Sequence, residues 1–300
     1  MISIKDLKKS FDGKHVLKGI DMNVKEGSIY GLVGANGAGK TTILRIINDI
    51  IKSDEGSVKI DDRLSSDCPE LKERIAFIPD DLSFFNQYNL KEARNLYANI
   101  YSKWNENTFL ELRHIFNLDI QTKMRRLSKG MQKQAVFALV MATTPDYLIL
   151  DEPIDGLDPI VRQTVWEYIV GAAADRQMTT LVSSHNLREM EGYCDCIGII
   201  SDGVMKLERD LDEIKTGAHK IQISFGSDAG DPAEKYSKLN ILNQQTSGSV
   251  DVLIVKNDME ELNQFKKEYS PVLFDVVPLT LEEVFIYELG GENDAVQIIS

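Results

Sequence analysis

The sequence predicts an α/β fold built on a parallel sheet, followed by a small α+β unit. Three observations predict it. A glycine-rich loop joins a short apolar run to a helix-periodic run. Two more runs of strand length, residues 147–150 and 179–184, each end on residues suited to chemistry. Past residue 216 the texture changes to short strands and helical segments that carry no such residues.

The first apolar run is Ser28, Ile29, Tyr30, Gly31, Leu32 and Val33, which reads as a buried strand. Gly34, Ala35, Asn36, Gly37, Ala38, Gly39, Lys40 and Thr41 follow in the spacing G-x-x-x-x-G-K-[ST]. After Thr42, the residues Ile43, Leu44, Ile46, Ile47 and Ile50 recur at helical spacing, predicting a helix through Ile50. In that context a backbone can cradle phosphates. Gly34, Gly37 and Gly39 let successive N–H groups turn toward phosphate oxygens. The helix beginning near Gly39 adds the positive end of its dipole. Lys40 can place its ammonium between the β- and γ-phosphates, and the Thr41 hydroxyl can bind Mg2+. The loop implies a nucleoside triphosphate without saying what it is used for.

Residues 1–24 alternate apolar and polar and are punctuated by Gly13 and Gly19, as in an antiparallel hairpin or small sheet. Phe11, in a polar turn before Asp12 and Gly13, reads as a ring free to stack on a base. Residues 58–60 and 74–78 read as strands, the second running into Pro79, Asp80 and Asp81. Residues 90–124 have helical period. Within them Tyr97, Tyr101 and Trp104 fall on one helix face, either core or a docking surface for another protein.

Ser128 is a good N-cap for a helix that continues through Ala142 and stops before Pro145. Ser128 and the N–H of Gly130 then form a second anion site at a positive helix end. Residues 147–150 read as a strand that delivers Asp151 and Glu152 at its C-terminal end, where open parallel sheets meet ligands. Asp151 suits a Mg2+ contact. Glu152 suits a general base that polarises an attacking water. Residues 154–159 read as a tight turn and 161–174 as a helix. The strand at 179–184 ends on His185, and a place after a third sheet strand makes His185 a candidate catalytic group. Residues 196–200 and 204–207 read as a hairpin.

The predicted units are 1–216 and 217–300. In the second, residues 221–225, 250–255 and 272–277 read as strands, 226–231 as a surface turn and 258–269 as a helix. Thr280 with Glu283 reads as a capping box opening a last helix through Leu289.

The chain has 300 residues, 43% hydrophobic, enough for a sizeable core. Its net charge of -13 argues against nucleic acid as a partner, because phosphate contacts need clustered Lys and Arg. No apolar run is long enough to cross a bilayer, and Met1 does not open a signal peptide, so any seat on a membrane is expected to be through a partner. Cys68, Cys194 and Cys196 read as free thiols in a reducing cytoplasm. Cys194 and Cys196 lack the neighbouring His or second Cys pair of a zinc site.

In this order and spacing the motifs resemble the ATP-binding subunit of ABC transporters over residues 1–215. Residues 34–41 resemble the Walker A motif. Leu127, Ser128, Lys129, Gly130 and Met131 resemble the signature. Residues 147–152 resemble Walker B with its catalytic glutamate, Glu152. Gly156, Leu157 and Asp158 resemble the D-loop, and His185 the switch histidine. Phe11 falls where the family has its adenine-stacking aromatic. Lys129, Gly130 and Met131, together with Leu281, Glu282, Glu283, Val284 and Phe285, are similar to YtrB-like exporter ATPases, whose membrane subunits are separate chains. One departure stands out. The family's Q-loop glutamine falls on Asp80, whose carboxylate cannot donate as an amide does and is left a candidate contact to Mg2+ or water.

The resemblance implies a P-loop NTPase with a RecA-like core, an antiparallel β-subdomain and a helical signature subdomain. It implies an ATPase in which ATP is held by Phe11 and residues 34–42 of one subunit. A second ATP-binding subunit, a copy or a paralogue, adds Ser128, Gly130 and Asp158. Lys40, Glu152 and His185 are the implied catalytic groups, and Thr41, Asp151 and Asp80 the implied Mg2+ contacts. Partners are expected to be separate transmembrane permease subunits, seating the chain on the cytoplasmic face of the cell membrane. The competing expectation is an ABC-type ATPase without a membrane partner, in an assembly or regulatory role.

Overall fold

The computed structural model describes residues 1–64, 69–211, 218–225, 235–277 and 279–288. Two compact units divide the chain, Met1–Glu208 and Arg209–Ile299.

The first unit opens with the expected hairpin, β1 (Ile2–Phe11) antiparallel to β2 (Lys14–Val24). After β3 (Ile29–Val33) and α1 (Lys40–Ile47), the chain returns as β4 (Glu55–Ile60) and β5 (Arg63–Leu64) to complete a four-stranded antiparallel sheet in the order β2-β1-β4-β5. A short helix α2 (Pro69–Arg74) leads into β6 (Ile75–Ile78), so Arg74 closes a helix where a strand start is expected.

The remaining strands of this unit are β7 (Tyr147–Asp151), β8 (Thr179–Ser184), β9 (Cys196–Ser201) and β10 (Val204–Asp210). They build a six-stranded sheet in the order β10-β9-β3-β8-β7-β6, with the run from β9 to β6 parallel. Every residue of β3, β7 and β8 is buried. Continuous burial is what a strand covered on both faces requires, and it explains the apolar runs of β3 and β7; β8 is as buried but carries Thr179, Thr180, Ser183 and Ser184. Helix α1 buries Ile43, Leu44, Ile46 and Ile47 in one cluster with Ile2, Ile4, Leu7 and Ile20 of the antiparallel sheet and Leu32, Ile149 and Leu181 of the parallel one. It ends at Ile47, short of the expected Ile50. Asn48 caps it, and Asp49 turns the chain with φ 57°.

Residues 90–124 are not one helix. Asn89 opens α3 (Leu90–Ile100) through a reciprocal capping box with Glu92, and Asn105 caps a separate α4 (Glu106–Ile115) by accepting from the N–H of Asn107 and Thr108. An Asn side chain that bonds nearby N–H groups competes with helix continuation. A single 3-10 turn, Met124–Arg126, follows. Trp104 therefore lies beyond the end of α3 and packs on Phe109 at 5.6 Å, while Tyr97 and Tyr101 stack on each other at 5.4 Å. The three aromatics do not share one helical face, and all three are half-buried. Two long helices complete the unit, α5 (Lys129–Ala142) and α6 (Pro159–Arg176).

The second unit is a four-stranded antiparallel sheet in the order β12-β13-β11-β14, made of β11 (His219–Ser224), β12 (Ile241–Ser247), β13 (Val250–Val255) and β14 (Leu273–Val277). Helix α7 (Met259–Tyr269) is capped by Asp258 and buries Leu262 and Phe265 in a core with Ile221, Ile223 and Leu253. The capping box of Thr280 and Glu283 opens α8 (Leu281–Glu288). Cys68, the turn at 226–231 and Leu289 lie outside the described residues. Cys194 and Cys196 are buried. Among the described residues no helix is long and apolar enough to cross a membrane.

Candidate functional site

The site follows from the strand order. β3, β8 and β7 are neighbours and parallel, so their C-terminal ends lie side by side. From β3 emerges the glycine loop, from β7 the pair Asp151 and Glu152, and from β8 the pair Ser183 and Ser184 with His185. The register sets Val33 opposite Ser184 and Asp151 opposite Ser183.

The loop is pinned at several points. Gly34 N–H donates to Ser184 O at 3.3 Å, and Ala38 N–H to Ala35 O at 3.1 Å. Ala38 O accepts from Gly203 N–H, in the turn between β9 and β10, and Gly203 O accepts from Lys18 N–H of β2. Gly34 has no room for a side chain, since a Cβ there would stand 2.2 Å from Ile200 O. Gly37 and Gly39 take φ of 84° and 114°, and Gly39 caps α1. Asn36 and Gly37 are exposed at the tip, while Lys40 is only 5% exposed. Its Nζ donates to Gly34 O at 2.5 Å and Ala35 O at 3.3 Å and stands 3.4 Å from Glu152 Oε1.

Asp151 is 2% exposed. It accepts from Thr41 Oγ1 at 2.8 Å and from Ser183 Oγ at 2.6 Å. Glu152 adopts φ 48°, in the left-handed region. Its N–H reaches both Ser183 O and Ser183 Oγ at 3.2 Å, and its carbonyl accepts from Lys133 Nζ at 2.6 Å. Its Oε2 meets His185 Nδ1 at 2.9 Å. An ionised carboxylate only accepts, so Nδ1 carries the proton and the other ring nitrogen is left to face outward. Glu152 Oε1 is buried and accepts no hydrogen bond. A buried acceptor left open marks a place for water or a ligand group.

The residues predicted from sequence thus fall into two groups. Lys40, Thr41, Asp151, Glu152 and His185 converge on one another. Ser128, Gly130 and Asp158 do not join them, for no hydrogen bond among the described residues ties these three to the glycine loop. Ser128 Oγ accepts from Met131 N–H and caps α5, and Asp158 caps α6 through Val161 N–H. Gly130 backs onto the turn before α6, where Gly156 O would lie 3.0 Å from an added Cβ. Phe11 is 44% exposed at the tip of the β1–β2 hairpin, with Lys9 Nζ 5.3 Å from its ring centre. That hairpin reaches the loop, since Val16 O and Leu17 flank Gly39. Asp80 pairs with Lys133 Nζ at 3.2 Å. Thr42 lies half-buried beside Thr41 at the start of α1.

Two participants were not singled out from the sequence, Ser183 and Lys133. Ser183 sits two residues before His185 on a strand already expected, and a polar residue there was the available signal. Lys133 is a buried cation in an apolar helix, a pattern that called for a partner.

The donor set fits Mg2+. Among the described residues no group of three or more His, Cys, Asp or Glu could form an all-protein cage. A hydroxyl and a carboxylate in contact, Thr41 and Asp151, instead suit an ion that takes few protein ligands and fills the rest with phosphate and water.

Residues 17–155 match the family described as ABC transporter. Over 98% of its length the chain is 35% identical to the ABC transporter ATP-binding protein YtrB of Bacillus subtilis (strain 168), covering 99% of that protein. It is 30% identical to the bacitracin transport ATP-binding protein BcrA of Bacillus licheniformis, covering 97% of this chain and 98% of that one. A solved ATP-binding subunit of an ABC transporter superposes with TM-score 0.65 at 28% identity, over 72% of this chain and 92% of that one.

Proposed function

This chain belongs to the ATP-binding subunits of ABC transporters, and on that premise we propose how its residues divide the work. It binds and hydrolyses ATP. Lys40 and the loop N–H groups neutralise the β- and γ-phosphates, and the ring of Phe11 covers the adenine. Thr41 and Asp151 hold Mg2+, which when bound offsets phosphate charge as it shifts to the leaving oxygen. Glu152 takes the proton of the attacking water. His185, held through Nδ1, turns its other nitrogen to the γ-phosphate. Asp80 is not assigned to the metal, because its carboxylate is engaged by Lys133.

The observation that carries the rest of the reading is the separation of the two groups of site residues. Ser128 is exposed at the start of α5, and neither it nor Gly130 shares a hydrogen bond with the chain's own glycine loop among the described residues. A second ATP-binding subunit, packed head to tail, brings its phosphates to that start and receives the same in return. Binding then favours a closed pair and hydrolysis reopens it. Separate transmembrane permease subunits convert closure into movement of a substrate, outward on the YtrB-like reading, and hold the chain to the cytoplasmic face of the membrane.

The test is the Glu152→Gln variant, studied by light scattering coupled to size exclusion. The expected result is monomer without nucleotide and with ADP, and dimer with ATP, the dimer being lost when Ser128→Arg is added. Dimer that forms equally well without ATP overturns the head-to-tail reading. Co-purification with an integral membrane chain is expected from solubilised membranes. Recovery only from the soluble fraction favours the assembly or regulatory role.

A further inference from the structure

Lys133 is a buried cation that the reaction as described does not use. It projects from α5, the helix capped by Ser128, and its side chain is 9% exposed. Removing an ammonium from water costs several kcal/mol unless it is paired and hydrogen-bonded. Lys133 has two such partners. Its Nζ donates to Glu152 O at 2.6 Å and pairs with Asp80 Oδ1 at 3.2 Å.

The carbonyl that it holds belongs to a strained residue. A non-glycine residue at φ 48° persists only where the surroundings over-determine it. Here both flanking peptide groups of Glu152 are fixed. Ser183 takes the N–H with two oxygens, and Lys133 holds the C=O. Between those anchors the side chain is aimed at Lys40 and His185. Asp80, 59% exposed and placed just after Pro79 at the end of β6, steers the ammonium from outside.

We infer that Lys133, oriented by Asp80, is a positioning residue that fixes the backbone of Glu152 and so aims the general base. The inference rests on the reading of Glu152 as that base. It adds a link between three segments distant in sequence, namely the segment after β6, the Ser128 helix and the turn after β7. A movement of Asp80 or of α5 changes the grip on Glu152 and so changes turnover without touching the phosphate cradle.

Steady-state hydrolysis by the full chain tests this with Lys133→Met, Lys133→Arg, Asp80→Asn and the double variant Asp80→Asn/Lys133→Met. Methionine keeps the bulk and removes the donor. Its kcat is expected to fall roughly 10- to 100-fold, as a misplaced base requires. Its KM for ATP should stay within about twofold, because no nucleotide contact is lost. Lys133→Arg should recover part of kcat. Asp80→Asn, at an exposed position that tolerates change, should lower kcat about two- to fivefold. The double variant should be no slower than Lys133→Met alone, since one chain of contacts has been cut twice.

Additive losses, a raised KM with unchanged kcat, or wild-type kcat in Asp80→Asn would each overturn the proposal. Should Lys133→Met fail to fold, Asp80→Asn and Lys133→Arg decide it on the same readouts. The Glu152→Gln variant is run beside them. If it is inactive while Lys133→Met turns over at the wild-type rate, the positioning role alone falls. If Glu152→Gln turns over at the wild-type rate, the base assignment falls and takes the positioning role with it.

Discussion

The residues around Lys40 and those around Ser128 are both suited to anions, yet they are built in opposite ways. Lys40 and Asp151 are 5% and 2% exposed, and each bonds to residues from another strand or loop of the same unit. Ser128 and Asp158 are exposed and bond only to N–H groups of the helices they cap. The first group is an electrostatic environment fixed before any ligand arrives, which is where oriented charges are worth most. The second is a helix start whose first-turn N–H groups are only partly satisfied by the Ser128 cap, which on the proposed reading leaves them for another subunit. On the proposed head-to-tail reading, one chain carries most of one site and the complement of another.

The strongest way to break this comparison is Glu152→Gln. The fold and the cradle should remain, ATP should still bind by equilibrium dialysis, and hydrolysis should slow by roughly 10²–10⁴ through loss of the base. Hydrolysis at the wild-type rate would show that the buried group does not hold the base. Lys40→Met comes next. Loss of a charged hydrogen-bond donor to phosphate should weaken ATP binding roughly 10- to 100-fold, measured by calorimetry. An unchanged dissociation constant would mean that the loop N–H groups suffice without the ammonium.

Phe11→Ala sharpens the comparison at its edge, because Phe11 is exposed although it is proposed to belong with the cradle. The expected loss is about 1–3 kcal/mol of binding, for GTP as well as ATP, since stacking tolerates any base. Equal affinities in mutant and wild type would remove Phe11 from the site. The smallest effect is expected from Ser128→Ala. Losing the cap should cost about 1 kcal/mol in urea unfolding and leave ATP affinity of the isolated monomer unchanged. Weakened monomer binding would place Ser128 in the site of its own chain.

Legibility in the sequence followed burial. β3 and β7 could be read because strands covered on both faces are predominantly apolar, and the residues at their ends then fell where open parallel sheets meet ligands. Elements decided by local side-chain bonding were harder. Asn105 caps a second helix inside a stretch whose apolar period continues across the break. β12 is a polar edge strand, Ile241–Ser247, with no pattern to betray it. Ser183 and Lys133 escaped for a different reason. Their importance lies in what they touch on other elements, Asp151 and Glu152, and spacing along the chain carries no record of such contacts.

The wiring of the glycine loop has a consequence for the growing chain. Gly34 is anchored by Ser184, and Ala38 by Gly203, each across at least half the length of the polypeptide. Domains form as units while synthesis proceeds from the N-terminus, and contacts of such long range must await the arrival of their partners. A ribosome that has released only the motif and its helix has made a loop without its restraints. Affinity for ATP is therefore expected to arise late, once first Ser184 and then the β9–β10 turn have emerged, and nascent chains halted before Gly203 are expected to be poor competitors for the cell's nucleotide.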